Sequence, residues 1–321
     1  MVIGTLNYLA SSIAPSLFRN GSVLTRRDVN GTDDGGKGVV VNTLPMEIME
    51  GRQLRGRERP SNEHNGFELQ EAPLGDRGLD FYDHSQVVNR YYPSCVDLVK
   101  QATGASFVRA FDHNIRSAQG KANKKRIKGG QEVQGPAHMV HGDYTLTSAP
   151  QRLSDLADSP KSNDTLISML GIEPLVPRDT AQAAIQGEKR FAIINVWRNI
   201  GITPVVRDAL ALCDGRSVSP EDLVVFEIHY SDRVGENYFA RPNKRHRWYT
   251  FSEMTRDEIL LIKQWDSAGT LAQTNGSVGD GKEGQSAPST FSFHSAFVNQ
   301  SEDSQTDDRE SIEVRCIVVY E

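Results

Sequence analysis

The sequence predicts an α+β protein with a β-sandwich or jelly-roll core and helical insertions. Three observations carry that prediction. The second half is dominated by strand-sized, β-branched runs such as RFAIINVWRNI (190–200) and DLVVFEIHYS (222–231). Helix-like stretches stand between strands without the regular alternation of βαβ units. No internal repeat is visible, and 321 residues suit one elaborated domain.

In chain order, residues 1–64 are rich in Gly, Asn, Asp and Arg, with one β-like run at 39–48. They read as an irregular N-terminal arm packing on a single domain of residues 65–321. NGFELQEAP (65–73) alternates as a strand should and stops at a proline. Residues 85–105 place apolar side chains at helical spacing and end at Gly104, and SFVRAFDHNIRS (106–117) alternates again. KANKKRIKGGQEVQG (121–135) is basic and then Gly-rich, as exposed loops are.

PAHMVHGDYTLTSA (136–149) is predicted as a strand, followed by helix-like text at 159–170 and 180–186. SEMTRDEILLIKQWDS (252–267) is predicted as a helix, because Ser252 precedes acidic residues and Leu260, Leu261 and Trp265 share a helical face. A Gly/Ser-rich loop fills 269–288. Two strands close the chain, STFSFHSAFV and RESIEVRCIVVY, joined by the polar turn NQSEDSQTDD.

Composition narrows the function. With 36 Lys+Arg against 42 Asp+Glu, the net charge of −6 argues against binding nucleic acid along the whole surface. Three widely spaced cysteines (Cys95, Cys213, Cys316) encode neither a disulfide framework nor a cysteine zinc module, which fits a reducing cytoplasm. The first eighteen residues lack a basic leader and are broken by Pro15, so they read as no signal peptide, and no apolar run is long enough to span a membrane.

Two phosphate-loop look-alikes, GTDDGGK (31–37) and GSVGDGK (276–282), are followed by Gly38 and Glu283 where Ser or Thr is required. GDGKEG (279–284) has no strand to launch it. Cys95 has no matching histidine and reads as a buried structural thiol; the basic runs at 121–128 and 241–248 read as solvated loops.

The chemistry-bearing text is His138-Met-Val-His141-Gly-Asp143-Tyr144-Thr145. Residues two apart on a strand project to one face, so His141 and Asp143 would stand side by side, while His138 would face away. His294 on a late strand is the candidate third ligand. Two histidines and one carboxylate on one face of an octahedron leave three positions open, as in non-haem Fe(II) oxygenases. An HxD triplet alone also arises as surface decoration.

Arg309 and Ser311 add weight. Their R-x-S spacing puts both on one face, where they could hold the far carboxylate of a 2-oxo acid. Arg315 shares that face but lies six residues on, roughly 20 Å along a strand, so it is either the reserve clamp or a structural ion pair.

With these residues in place, the chain resembles the hydroxylase/desaturase family of fungal secondary metabolism. That family includes asperfuranone-type enzymes, a cephamycin 7-alpha-methoxylase small chain and a gibberellin desaturase. The likeness runs from about Asn65 onward. It rests on NGFEL, DFYD, TGASFVRAFDHNIRS, VHGDYT, NVWRN, HRWYTFSEMTRDEILLIKQWDS, FHSAFVN and RESIEVR. The sequence departs at Asn199, where proline is expected, and at the Gly-rich insertion of 269–288.

The resemblance implies a double-stranded β-helix of the jelly-roll, cupin-like kind and dependence on Fe(II), 2-oxoglutarate and dioxygen. It implies His141, Asp143 and His294 as ligands, with Arg309 and Ser311, or else Arg315, on 2-oxoglutarate and Thr145 nearby. The activity would be oxidation of an unactivated C–H bond of a small molecule, with or without a carboxylate, by hydroxylation, desaturation or ring closure such as aziridine formation from an amino acid. Tyr144, Trp197, Arg198 and His246 are the expected substrate contacts. Two other readings remain: a catalytically silent companion subunit, and a cupin-like metal enzyme that does not use 2-oxoglutarate.

Overall fold

The computed structural model describes residues 1–27, 33–161, 164–231, 233–281, 286–299 and 307–321. Among them the strands are β1 (Val2–Leu9), β2 (Leu24–Arg27), β3 (Asp33–Lys37), β4 (Val41–Glu50), β5 (Phe67–Glu71), β6 (Phe107–Arg116), β7 (His141–Gly142) and β8 (Phe191–Asn199). They continue with β9 (Leu210–Cys213), β10 (Leu223–His229), β11 (Val234–Ala240), β12 (Trp248–Thr250), β13 (Glu258–Asp266), β14 (His294–Ala296), β15 (Val298–Asn299) and β16 (Ser311–Val319). The helices are α1 (His84–Gln86), α2 (Tyr92–Thr103), α3 (Ala118–Ala122), α4 (Ser148–Leu156), α5 (Ile167–Leu170), α6 (Arg178–Ile185) and α7 (Thr270–Gln273).

Two sheets form. The larger is mixed, in the order β15-β1-β4-β12-β9-β14-β7-β11-β10-β2-β3; the smaller is antiparallel, β5-β13-β8-β16-β6. Between them lies a core of Phe67, Trp197, Leu260 and Ile262 from the smaller sheet against Leu6, Tyr8, Ile48, Leu212 and Trp248 from the larger, with Phe293 just before β14. Helix α2 covers the outer face of the smaller sheet, setting Cys95 and Val99 against Val196, Val314 and Cys316. It ends at Gly104, whose φ of 67° is a left-handed cap that glycine adopts without strain. Helices α4 and α6 close one end of the inner face, over Ile193, Ile317 and Val319.

Alternation sorts the smaller sheet. On β8, Ile194 and Val196 face α2, whereas Trp197 faces the larger sheet. By the same period Asn195 points inward and Arg198 outward. No helix among the described residues is long and apolar enough to cross a membrane.

Four expectations are corrected. Residues 1–64 are not irregular: they supply β1–β4 of the larger sheet, and Leu6, Tyr8 and Leu9 are fully buried. The segment 252–267 is not a helix but carries β13, the neighbour of β8. Its apolar run is buried on both faces, with Ile259 and Leu261 in the core beneath α2 and Leu260 and Ile262 between the sheets. A strand covered on both sides loses its alternation, so its text imitates a helix. The strand expected over 136–149 is only His141–Gly142, and residues 148–156 form the unforeseen helix α4. STFSFHSAFV is extended only over His294–Ala296 and Val298–Asn299. The Gly-rich stretch 269–288 contains α7; its residues 282–285, and 300–306 of the last turn, lie outside the described residues.

Candidate metal centre

Strands β7 and β14 are neighbours in the larger sheet, with His141 directly opposite His294. Directly opposed residues of an antiparallel ladder project to one face, and the two imidazole centroids stand 4.3 Å apart. Asp143 turns back toward them: its Oδ1 is 3.6 Å from His141 Nε2 and 3.9 Å from His294 Nε2. One ligand atom from each of the three lies within 4.8 Å of the others, so the cluster could hold a metal ion.

The donor set fits a divalent iron. Bonds of about 2.1 Å to a six-coordinate ion put neighbouring donors roughly 3 Å apart, so the three side chains would draw together by somewhat less than about 1 Å from the 3.6 and 3.9 Å separations here. His141 Nδ1 lies 2.7 Å from the Met139 carbonyl oxygen. Donation to that carbonyl leaves Nε2 as the lone pair facing the cluster. Burial, and then His294, push the His141 imidazole down to about 4, so it is neutral at physiological pH. Burial alone would raise the Asp143 carboxyl; Arg315, the two imidazoles and the Asn195 amide outweigh it and hold Asp143 well below the usual carboxylate range. His141 is thus a neutral nitrogen donor and Asp143 an anion, the protonation states that metal ligation requires of them.

On β16 and just before it, Arg309 and Ser311 are 3% and 1% exposed. The Arg309 guanidinium donates to the Asp208 carbonyl and lies 5.9 Å from the Trp197 ring centroid. Arg309 Nε and Ser311 Oγ are both buried without a protein partner. Burial and the nearby Arg116 pull the Arg309 guanidinium down to about 10, so it remains charged at neutral pH. A buried cation and a hydroxyl with open valences suit a small carboxylate.

Arg315 is elsewhere. It meets Asp112 at 3.0 Å, Glu313 at 3.1 Å and Asp143 Oδ2 at 3.4 Å, so its donors are committed to carboxylates, that of Asp143 among them. Arg198 lies on the outer face of β8, donating to Tyr91 Oη and the Ala72 carbonyl at 2.8 Å and to the Arg256 carbonyl; it faces away from the cluster. His246 is buried rather than at an entrance, between Tyr8 Oη at 3.2 Å and Asp222 at 3.1 Å. Thr145 Oγ1 accepts from the Ser148 N–H at the start of α4, at 3.0 Å, and donates to Glu236 at 2.5 Å. Tyr144 is half-buried against the cluster of α4 and α6, and burial raises its phenol to about 12. Trp197 is buried on the inner face beside Arg309. His138 pairs with Asp208 at 3.1 Å and not with the cluster.

Sequence reasoning missed Asn195, Gln264, Glu313 and Arg116. Asn195 Nδ2 donates to Asp143 Oδ2 at 3.1 Å, and Gln264 Oε1 accepts from the Asp143 N–H at 3.2 Å. Glu313 joins Arg116, at 3.3 Å, to Arg315. A signal existed: amides in the middle of FAIINVW and EILLIKQW, otherwise apolar strands, are rarely buried without a polar task.

Comparison with known proteins follows the same direction. The sequence profile of a family described as an oxidoreductase/YMDC permease-like domain matches residues 30–319. The chain belongs to this family. A protein of Methylophilus leisingeri, named only as an uncharacterized protein in the dcmA 3′ region, is 42% identical over 198 residues, 61% of this chain and 89% of that one. The hydroxylase/desaturase efuI of Hormonema carpetanum is 29% identical over 297 residues, covering 87% and 85% of the two chains. The Fe(II)/2-oxoglutarate-dependent dioxygenase nvfI of Aspergillus novofumigatus is 28% identical over 238 residues, 74% of this chain and 68% of that protein. Among solved structures, the iron and alpha-ketoglutarate-dependent endoperoxidase NvfI superposes with a TM-score of 0.70 at 21% identity, over 99% of this chain and 97% of that one. At that identity the likeness speaks for the fold.

Proposed function

We propose that this member of the oxidoreductase family oxidises a C–H bond of a small secondary-metabolite precursor. It is a non-haem Fe(II)/2-oxoglutarate-dependent oxygenase, the class to which several of its relatives are assigned by name. The observation that carries the reading is the convergence of His141, Asp143 and His294 from β7, its following bend and β14. The two facing sheets and the superposition support a double-stranded β-helix of jelly-roll, cupin-like form.

His141 Nε2, Asp143 Oδ1 and His294 Nε2 would hold Fe(II), which, when bound, supplies dioxygen activation coupled to decarboxylation of 2-oxoglutarate. Arg309 and Ser311 would orient 2-oxoglutarate by its distal carboxylate, satisfying the two buried atoms that lack partners. Trp197 walls that position beside Arg309 and helps exclude water. Tyr144, near Asp143 and Arg315, is the remaining candidate for a substrate contact. Hydroxylation, desaturation and ring closure share these residues. Three buried free cysteines suit a reducing cytoplasm.

The test is succinate formation from 2-oxoglutarate under air with Fe(II) present. Wild type is expected to accumulate succinate, slowly even without substrate, and His294→Ala to lose it. A cupin-like enzyme independent of 2-oxoglutarate, or a silent companion subunit, would form none in either protein.

A further inference from the structure

Of the three residues of the cluster, Asp143 has the least backbone support. His141 and His294 are paired across the β7–β14 ladder, so the sheet fixes their relative position. β7 ends at Gly142, and Asp143 lies beyond it in a bend with no ladder partner. Three side chains of the opposite sheet take the ladder's place. Gln264 on β13 accepts the Asp143 N–H at 3.2 Å, Asn195 on β8 donates to Oδ2 at 3.1 Å, and Arg315 on β16 approaches the same oxygen at 3.4 Å. The β13–β8 register slips between Lys263 and Trp265, placing a bulge at Gln264. A bulge re-aims the side chain it carries. Arg315 is itself fixed by Asp112 and Glu313, at 3.0 and 3.1 Å.

We infer that Asn195, Gln264 and Arg315 form a positioning clamp that turns Oδ1 of Asp143 alone toward the metal and holds Oδ2 away from it. The inference rests on His141, Asp143 and His294 being the Fe(II) ligands. The same oxygen, Oδ1, is the one near both imidazoles. A carboxylate bound through both oxygens would occupy a fourth of six positions; bound through one, it leaves three for a chelating 2-oxo acid and dioxygen. The three clamp residues touch the aspartate and not the ion, so they act through its geometry.

The test is an anaerobic titration of the full chain with Co(II), whose visible bands report coordination, in wild type, Asn195→Ala, Gln264→Leu, Arg315→Gln, Arg315→Lys and Asp143→Ala. The clamp predicts about 10- to 100-fold weaker Co(II) binding and altered bands in Asn195→Ala, Gln264→Leu and Arg315→Gln. Arg315→Lys, which keeps a charged donor, should recover part of the affinity. Thermal unfolding separates this from loss of fold; if Arg315→Gln does not fold, the two amide variants decide. Asn195→Ala and Gln264→Leu that bind Co(II) with wild-type affinity and bands, while Asp143→Ala does not, would overturn the clamp and leave the ligand set intact. Wild-type binding by Asp143→Ala would overturn the ligand set itself.

Discussion

At the scale of single residues, the two arginines of β16 and its approach divide the labour. Arg309 is buried with an open Nε, whereas the donors of Arg315 point at three carboxylates. A hydrogen bond to a charged group contributes about 1.5–3 kcal/mol, and each 1.4 kcal/mol is roughly tenfold in affinity. Arg309→Leu should therefore weaken 2-oxoglutarate binding by about 10- to 100-fold while leaving metal affinity near wild type, as anaerobic calorimetry would register. Unchanged 2-oxoglutarate affinity would place the clamp elsewhere. The spacing of two between His141 and Asp143, and between Arg309 and Ser311, was legible because it needs only local geometry. The partners of Asp143 were not, because Asn195, Gln264 and Arg315 reach it from β8, β13 and β16, across 52, 121 and 172 residues of chain.

Among the elements, β1 and β13 are the instructive pair. Both were misread, for opposite reasons: β1 is surrounded by polar, glycine-rich text that suggested an arm, and β13 is so evenly apolar that alternation vanished. Leu6 on β1 is fully buried among Tyr8, Ile48 and Trp248 of the central core. Leu6→Ala should cost about 2–5 kcal/mol of stability, measured by urea denaturation. An arm merely resting on the surface would lose no more than about 0.5 kcal/mol. Strands β6, β8, β10 and β16 and helix α2 were legible, since each is long and carries its own period or β-branched run. The two-residue β7 was not, because its length is set by the bend at Asp143 and by α4 beginning soon after.

For the whole molecule, burial of histidines makes stability depend on pH. Burial first, with further contributions from neighbours, pushes His113 and His141 from 6.5 down to about 4. Between those values the unfolded chain binds protons that the native chain does not, so metal-free stability rises with pH across the window and is lost as pH falls from 6.5 toward 4. His113→Gln should shrink the loss of stability between about pH 7 and about pH 5, read as the shift in urea midpoint. An undiminished loss would assign the slope to other groups. The two-sheet architecture and the meeting of His141, Asp143 and His294 belong to this scale too. Their sequence positions hinted at a site, but only the pairing of β7 with β14 brings residues 153 apart face to face.

The central claim is that this one cluster binds iron together with a 2-oxo acid, and anaerobic addition of Fe(II) and 2-oxoglutarate tests it directly. The account predicts a visible metal-to-ligand charge-transfer band in wild type that is absent in Asp143→Ala. No band in wild type, or an equal band in Asp143→Ala, would contradict it.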